Sequence, residues 1–126
     1  EPAFAPRAGL YAPQLISFLA LDEREFRRRF SGSPILRAKR RGFLRNVAVA
    51  LGNLKSTAAV PALIGALADD EALVRGHAAW ALGEIGSADA IAPLERALES
   101  ERDSETADEI RAAIVALSDA DRDGVP

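Results

Sequence analysis

The chain has 126 residues, a net charge of −3 and hydrophobic side chains at 48% of its positions, enough for one packed domain and too apolar for wholesale disorder. It has no Cys, which excludes disulfides, thiolate metal sites, iron–sulfur ligation and Cys nucleophiles within it, and it has no apolar run of the roughly 18 residues that a membrane span needs. Met is absent even at position 1, and the opening EPAFAPRAGL lacks the basic and apolar parts of a signal peptide, so the sequence reads as a piece of a longer polypeptide or a processed form.

Residues 1–9 carry few apolar anchors and are expected to be loosely held. Pro13 starts a short helix through QLISFLA, and Asp22 with Glu25 forms a capping box for EREFRRRF. Ser33 caps the next turn with Pro34 at its first position, and Gly42 suggests a kink in the helix that carries it. Across residues 26–46 (FRRRFSGSPILRAKRRGFLRN) stand Arg27, Arg28, Arg29, Arg37, Lys39, Arg40, Arg41 and Arg45, with no Asp or Glu among them. Residues 1–55 hold 11 basic and 4 acidic side chains, and residues 56–126 hold 5 and 15, so a net +7 faces a net −10 along the chain. A local basic surface of this kind, and not the net charge, governs attraction for a polyanion at close range.

An internal repeat organises the second half. RNVAVALGNLKSTAAVPALIGAL (45–67) recurs as RGHAAWALGEIGSADAIAPLERAL (75–98), with Ala50-Leu51-Gly52 returning 31 residues later as Ala81-Leu82-Gly83. Val60, Leu63 and Leu67 return as Ile91, Leu94 and Leu98, and IRAAIVAL (110–117) is a shorter third echo. Asp70 is placed to cap a helix whose apolar stripe is Val74, Ala78, Ala81, Leu82 and Ile85, with Gly83 and Gly86 ending it. Ser87 or Asp89 starts the next helix, Ser104 caps the last, and that helix is expected to end near Leu117. Pro61 and Pro93 fall in the first turn of their helices, where proline is tolerated.

These signals predict an all-α solenoid of stacked antiparallel helical hairpins. A single domain spans 1–118, with irregular basic helices over 1–44, repeats over 45–118 and a flexible acidic tail over 119–126. Leu51, Leu63, Leu67, Val74, Leu82, Leu94 and Leu98 form the expected core.

VRGHAAWALGEIG resembles the HEAT-like repeats first recognised in phycobilin lyases. LALDEREFRRRFSGSPILRAKRRGFLRNVAVALGN followed by LVRGHAAWALG resembles the C-terminal HEAT-like region of bacterial epoxyqueuosine reductases, from about Phe4 to Leu98 and most specifically from Glu25 to Asn53. The resemblance implies a parent enzyme that depends on cobalamin and two 4Fe–4S clusters and reduces epoxyqueuosine in transfer RNA, the last step of queuosine synthesis. That chemistry belongs to other domains of such an enzyme, so this chain is expected to bind no cofactor and to be no enzyme by itself. The implied partners are tRNA and the preceding catalytic domains of the same polypeptide, with a monomer working in the cytoplasm.

The candidate nucleic-acid-binding set is Arg27, Arg28, Arg29, Arg37, Lys39, Arg40, Arg41, Arg45 and Asn46, because guanidinium groups grip phosphates bidentately. The same stretch could be a solvated face, or dock an acidic neighbouring domain. Asn46 could read a base edge or ribose hydroxyl, or tie down the backbone. Trp80, with His77 three residues before it, could stack on a nucleotide but sits where inter-repeat packing claims an aromatic side chain. One His without Cys or a second His makes no zinc site. DADRDG (119–124) copies the start of a calcium loop without its closing Glu. No matched nucleophile, base and acid, and no Gly-rich loop after a strand, appears in the sequence. A reading of another class is a protein-interaction scaffold whose concave face takes an acidic peptide or domain.

Overall fold

The computed structural model describes residues 12 to 123, with side chains through residue 120. The expected loose segment 1–9, and Gly124 to the end of the acidic tail, lie outside the described residues. Helix α1 (Ala12–Phe18) has Pro13 in its first turn, where a missing N–H leaves no bond unmade. Helix α2 (Glu23–Arg29) opens on the expected capping box: Asp22 Oδ1 accepts from the Glu25 N–H at 2.8 Å, and Glu25 Oε1 accepts from the Asp22 N–H at 3.1 Å. A 3₁₀ turn over Pro34–Ala38 is capped by Ser33, whose Oγ accepts from the Ile35 N–H at 3.2 Å. Helix α3 (Lys39–Leu54) then runs unbroken through Gly42. One glycine weakens a helix by about 1 kcal/mol and removes no backbone hydrogen bond, so it need not interrupt one.

The repeats continue as α4 (Val60–Ala66), α5 (Ala72–Ile85), α6 (Ile91–Ser100) and α7 (Ser104–Asp123), with 3₁₀ turns at Thr57–Ala59 and Ala88–Ala90 leading into α4 and α6. Several expected boundaries shift. Neither Asp70 nor any other side chain caps α5, whose N-cap position is Glu71; Asp69 Oδ2 accepts from the Glu71 N–H at 2.9 Å in the turn just before the helix. Asp103, and not Ser104, caps α7, accepting from the Thr106 N–H at 2.9 Å and the Thr106 hydroxyl at 2.8 Å. Those two bonds hold the Asp103 carboxyl below the usual carboxylate range. Ser87 caps the turn before α6 as expected. Helix α7 runs to Asp123 and not to Leu117, since residues 118–123 contain neither Gly nor Pro to stop it. The first five residues of the expected tail are therefore helical.

Helices α3, α5 and α7 lie side by side in one layer, while α4 covers α5 and α6 covers α7 from the other side. This is the stacked-hairpin arrangement expected from the repeat: each unit buries its apolar stripe against its neighbours. Leu51, Leu63, Leu67, Val74, Leu82 and Leu94 are all buried. Leu98 is only half-buried, because it lies near the end of α6, which packs mainly against α7. At the other end Phe18, Phe26, Phe30 and Phe43 form one aromatic cluster, with ring centroids 4.9–5.8 Å apart and the rings inclined to one another. It fixes α1 and α2 onto the start of α3. Arg75 ties α5 to the approach to α7, its guanidinium meeting Glu101 through two 2.8 Å bonds. Those bonds hold the Glu101 carboxyl below its ordinary range despite its burial.

Two glycines inside helices, Gly83 and Gly52, mark close approaches between helices, while Gly86 ends one. Gly86 has φ 86°, the left-handed cap of α5. Gly83, by contrast, does not end α5. It lies within that helix, and a Cβ there would come 3.3 Å from Ala113 Cα, so its role is close approach to α7. Gly52 is tighter still: a Cβ would meet the Trp80 ring at 2.7 Å and Ala81 Cα at 3.0 Å. Gly52→Ala gains about 1 kcal/mol of helix propensity but forces α3 from α5, at a cost of about 1–3 kcal/mol. Steric cost should dominate, since the Ala81 backbone cannot swing aside. Gly42→Ala, with nothing within 4 Å, is expected to raise stability instead. Opposite shifts in denaturation midpoint would show the difference; stabilisation by both would contradict the close approach.

Candidate nucleic-acid interface

The basic residues divide into those that reach solvent and one that does not. Arg40 is buried, with 8% of its surface exposed. Its Nε donates to the Leu21 carbonyl at 2.7 Å, Nη1 donates to Asp69 Oδ2 at 3.1 Å, and Nη2 donates to Asp69 Oδ1. Hydrogen bonding to Asp69 outweighs the desolvation and raises the guanidinium above its ordinary pKa. Arg40 therefore leaves the candidate site. It ties the first helices and α3 to the loop before α5, with each of its three nitrogens donating to a protein acceptor.

The others remain at the surface. Arg27, Arg28 and Arg29 project from the last turn of α2, where cations also complement the helix dipole. Arg27 Nε donates to Glu23 Oε2 at 2.8 Å, an exposed pair of little energetic weight. The Arg29 guanidinium sits 5.0 Å from the Phe18 ring centroid, so the aromatic cluster steadies it. Arg28, Arg37 and Lys39 are exposed and have no carboxylate partner among the described residues. Arg41 is exposed, 3.9 Å from Glu71 Oε1. Arg45 is half-buried and donates through Nε to Asn46 Oδ1 at 3.0 Å. Asn46 thus orients Arg45; the backbone tie suggested by the sequence is not what its side chain makes here.

One feature of this segment has no sequence signal. Lys39 joins the 3₁₀ turn to α3 with φ 61° and ψ 155°, a region that glycine favours. A side chain held there costs about 1–3 kcal/mol, and such residues concentrate at functional sites. The strained joint turns the chain between Arg37 and Arg41. Because α2 contacts α3 and both flank the phenylalanine cluster, the structure brings Arg27–Arg29 and the Arg37–Arg45 group around one end of the stack.

Trp80 and His77 belong elsewhere. Trp80 is half-buried on α5 with its ring against Gly52, as inter-repeat packing requires. Nδ1 of His77 lies 2.8 Å from the Leu73 carbonyl oxygen. Both line a groove whose lining includes no Arg or Lys, although on its α3 side it reaches Val49, one turn beyond Arg45. The segment 119–123 is helical and not a loop, which is incompatible with a calcium-loop start. No helix among the described residues is long and apolar enough to cross a membrane.

Residues 34–118 match the family described as HEAT repeats. An epoxyqueuosine reductase of Xanthomonas campestris pv. campestris is 46% identical over 87 residues, which cover 68% of this chain and 24% of that protein. The epoxyqueuosine reductase of Bacillus cereus is 34% identical over 122 residues, covering 94% of this chain and 31% of that protein. This chain therefore spans about a quarter to a third of the length of these relatives. A crystal structure of epoxyqueuosine reductase with an epoxyqueuosine-modified tRNA-Tyr stem loop superposes with a TM-score of 0.73 at 37% identity, over 82% of this chain and 28% of that one.

Proposed function

The chain belongs to the HEAT-repeat family, and from that premise we propose that it is the tRNA-holding part of an epoxyqueuosine reductase. The observation that carries this reading is the cationic end of the stack, Arg27–Arg29 with Arg37, Lys39, Arg41 and Arg45, on a chain similar over most of its length to a protein solved with a tRNA stem loop. Arginine forks suit phosphate oxygens, and Asn46 already fixes one of them. The chain has no Cys, so it offers no thiolate to ligate an iron–sulfur cluster. In this reading the reductive chemistry lies in other domains, and the helical stack positions the RNA for them.

The test is binding of a tRNA anticodon stem loop to the full chain, measured by fluorescence anisotropy across a salt series. Replacing Arg41 and Arg45 together by Ala is expected to weaken binding and to flatten the log–log salt slope by about one unit for each phosphate no longer gripped. Arg96→Ala with Arg111→Ala, in the acidic half, is expected to change neither. Equal losses from both pairs would refute a localised site, and unchanged binding after the first pair would refute the assignment of these residues.

A further inference from the structure

The open face of the α3/α5/α7 layer carries a groove of about 720 Å³ that the arginine-rich surface does not account for. Leu73, His77 and Trp80 succeed one another along α5 in its floor, all half-buried. Its wall on α7 is formed by Glu105, Asp108 and Glu109, all exposed and spaced to share one helix face. Among the described residues Asp108 meets only Arg111, at 3.0 Å, while Glu105 and Glu109 meet no cation. Internal ion pairing therefore does not explain this acidic wall.

Apart from the Trp80 indole N–H, the hydrogen-bonding side chains of the groove have the same bias. Nδ1 of His77 faces the Leu73 carbonyl oxygen at 2.8 Å, so that nitrogen is not free to donate to a ligand. The Thr106 hydroxyl donates to Asp103, so it offers no donor either. Trp80 adds a ring of the type that attracts cations best. An apolar floor, an indole and a wall of acceptors call for a ligand that brings positive donors on an apolar stem, which describes an arginine or lysine side chain. Nucleic acid has the wrong sign, as does the acidic peptide that a scaffold reading of the sequence suggests.

We infer that this groove docks an Arg- or Lys-bearing segment of a partner polypeptide, its cation set between Trp80 and the α7 carboxylates. On its α3 side the groove reaches Val49, one helical turn beyond Arg45, so it borders the proposed RNA surface, but the inference does not depend on that reading. Trp80 is the chain's single Trp, so its emission reports occupancy directly. The probe is a short labelled peptide alternating Arg, Leu and Ser, compared with a counterpart carrying neutral citrulline in place of Arg, titrated into the full chain. The Arg peptide is expected to bind saturably with a change in Trp80 emission. Citrulline replacement, or Glu105→Gln with Glu109→Gln, should weaken binding at least ~tenfold, the scale of removing one charge-assisted hydrogen bond. Glu95→Gln with Glu99→Gln, on exposed positions of α6 outside the groove, should leave it unchanged. Equal binding of the citrulline peptide, equal weakening by the α6 pair, or a saturable Trp80 response to the tRNA stem loop in place of the peptide would overturn the inference.

Discussion

Asp69→Ala is expected to destabilise the protein by about 3–5 kcal/mol, because it leaves the Arg40 guanidinium buried without its counter-charge. Only 10% of the Arg40 side chain and 8% of the Asp69 side chain remain accessible to water. The same substitution removes the Asp69 hydrogen bond to the Glu71 N–H just before α5, a net contribution of about 1 kcal/mol. Since the pair sits at the edge of the layer, where water can reach the stranded cation, the lower half of the range is the sharper expectation. The double variant Asp69→Leu with Arg40→Met should be more stable than Asp69→Ala alone, because it removes the uncompensated charge along with its partner. Urea unfolding of the three proteins measures both effects. A loss below about 1 kcal/mol for Asp69→Ala would mean that the pair is an ordinary surface contact. Arg40 would then return to the candidate RNA surface.

Leu82→Ala is expected to cost about 2–5 kcal/mol and to lower Tm by roughly 8–20 °C. Leu82 has no exposed surface and lies on α5, which packs against α3 and α7 in its own layer and against α4 in the other. The width of that range reflects how far a site can collapse around the missing atoms. Collapse here is resisted from both sides of the layer, and by Gly52 and Gly83, which already bring α3 and α7 into close approach. Val115→Ala is the matched control. Val115 is 58% exposed on α7 and should change stability by no more than about 0.5 kcal/mol. If Leu82→Ala matched that control in a thermal melt, the repeat register would be wrong.

Much of the fold is legible because its signals close within one turn of chain. The Asp22/Glu25 box, the Ser33-Pro34 start and the Gly86 cap each concern residues at most four positions apart, so local sequence suffices to place them. The recurrence of Ala-Leu-Gly after 31 residues likewise determines that hairpins stack, since matching stripes must bury against one another. The same local reasoning misplaced the cap of α7 by one residue, where Asp103 and Ser104 compete for the same orphan N–H groups, and it gave α5 a cap at Asp70 where no side chain caps the helix.

Only the tertiary structure decided what the individual charges do. In the run Lys39, Arg40, Arg41 the residue types are nearly interchangeable, yet Arg40 alone turns inward, because Asp69, 29 positions away, is delivered to it by the stacking of α5 on α3. Arg75 and Glu101 are joined in the same way across 26 positions. In the sequence Gly83 reads as a helix end and Gly52 only as part of the repeat, but both are contact points between helices, and that role depends on an interhelical distance no local pattern contains. The acidic groove is the same case: its floor comes from α5 and its wall from α7, and neither segment alone marks a site. Period and capping are properties of one segment and survive in the sequence. Which charge is desolvated, and which face stays open, depends on how segments dock, and that is settled only when the layer is assembled.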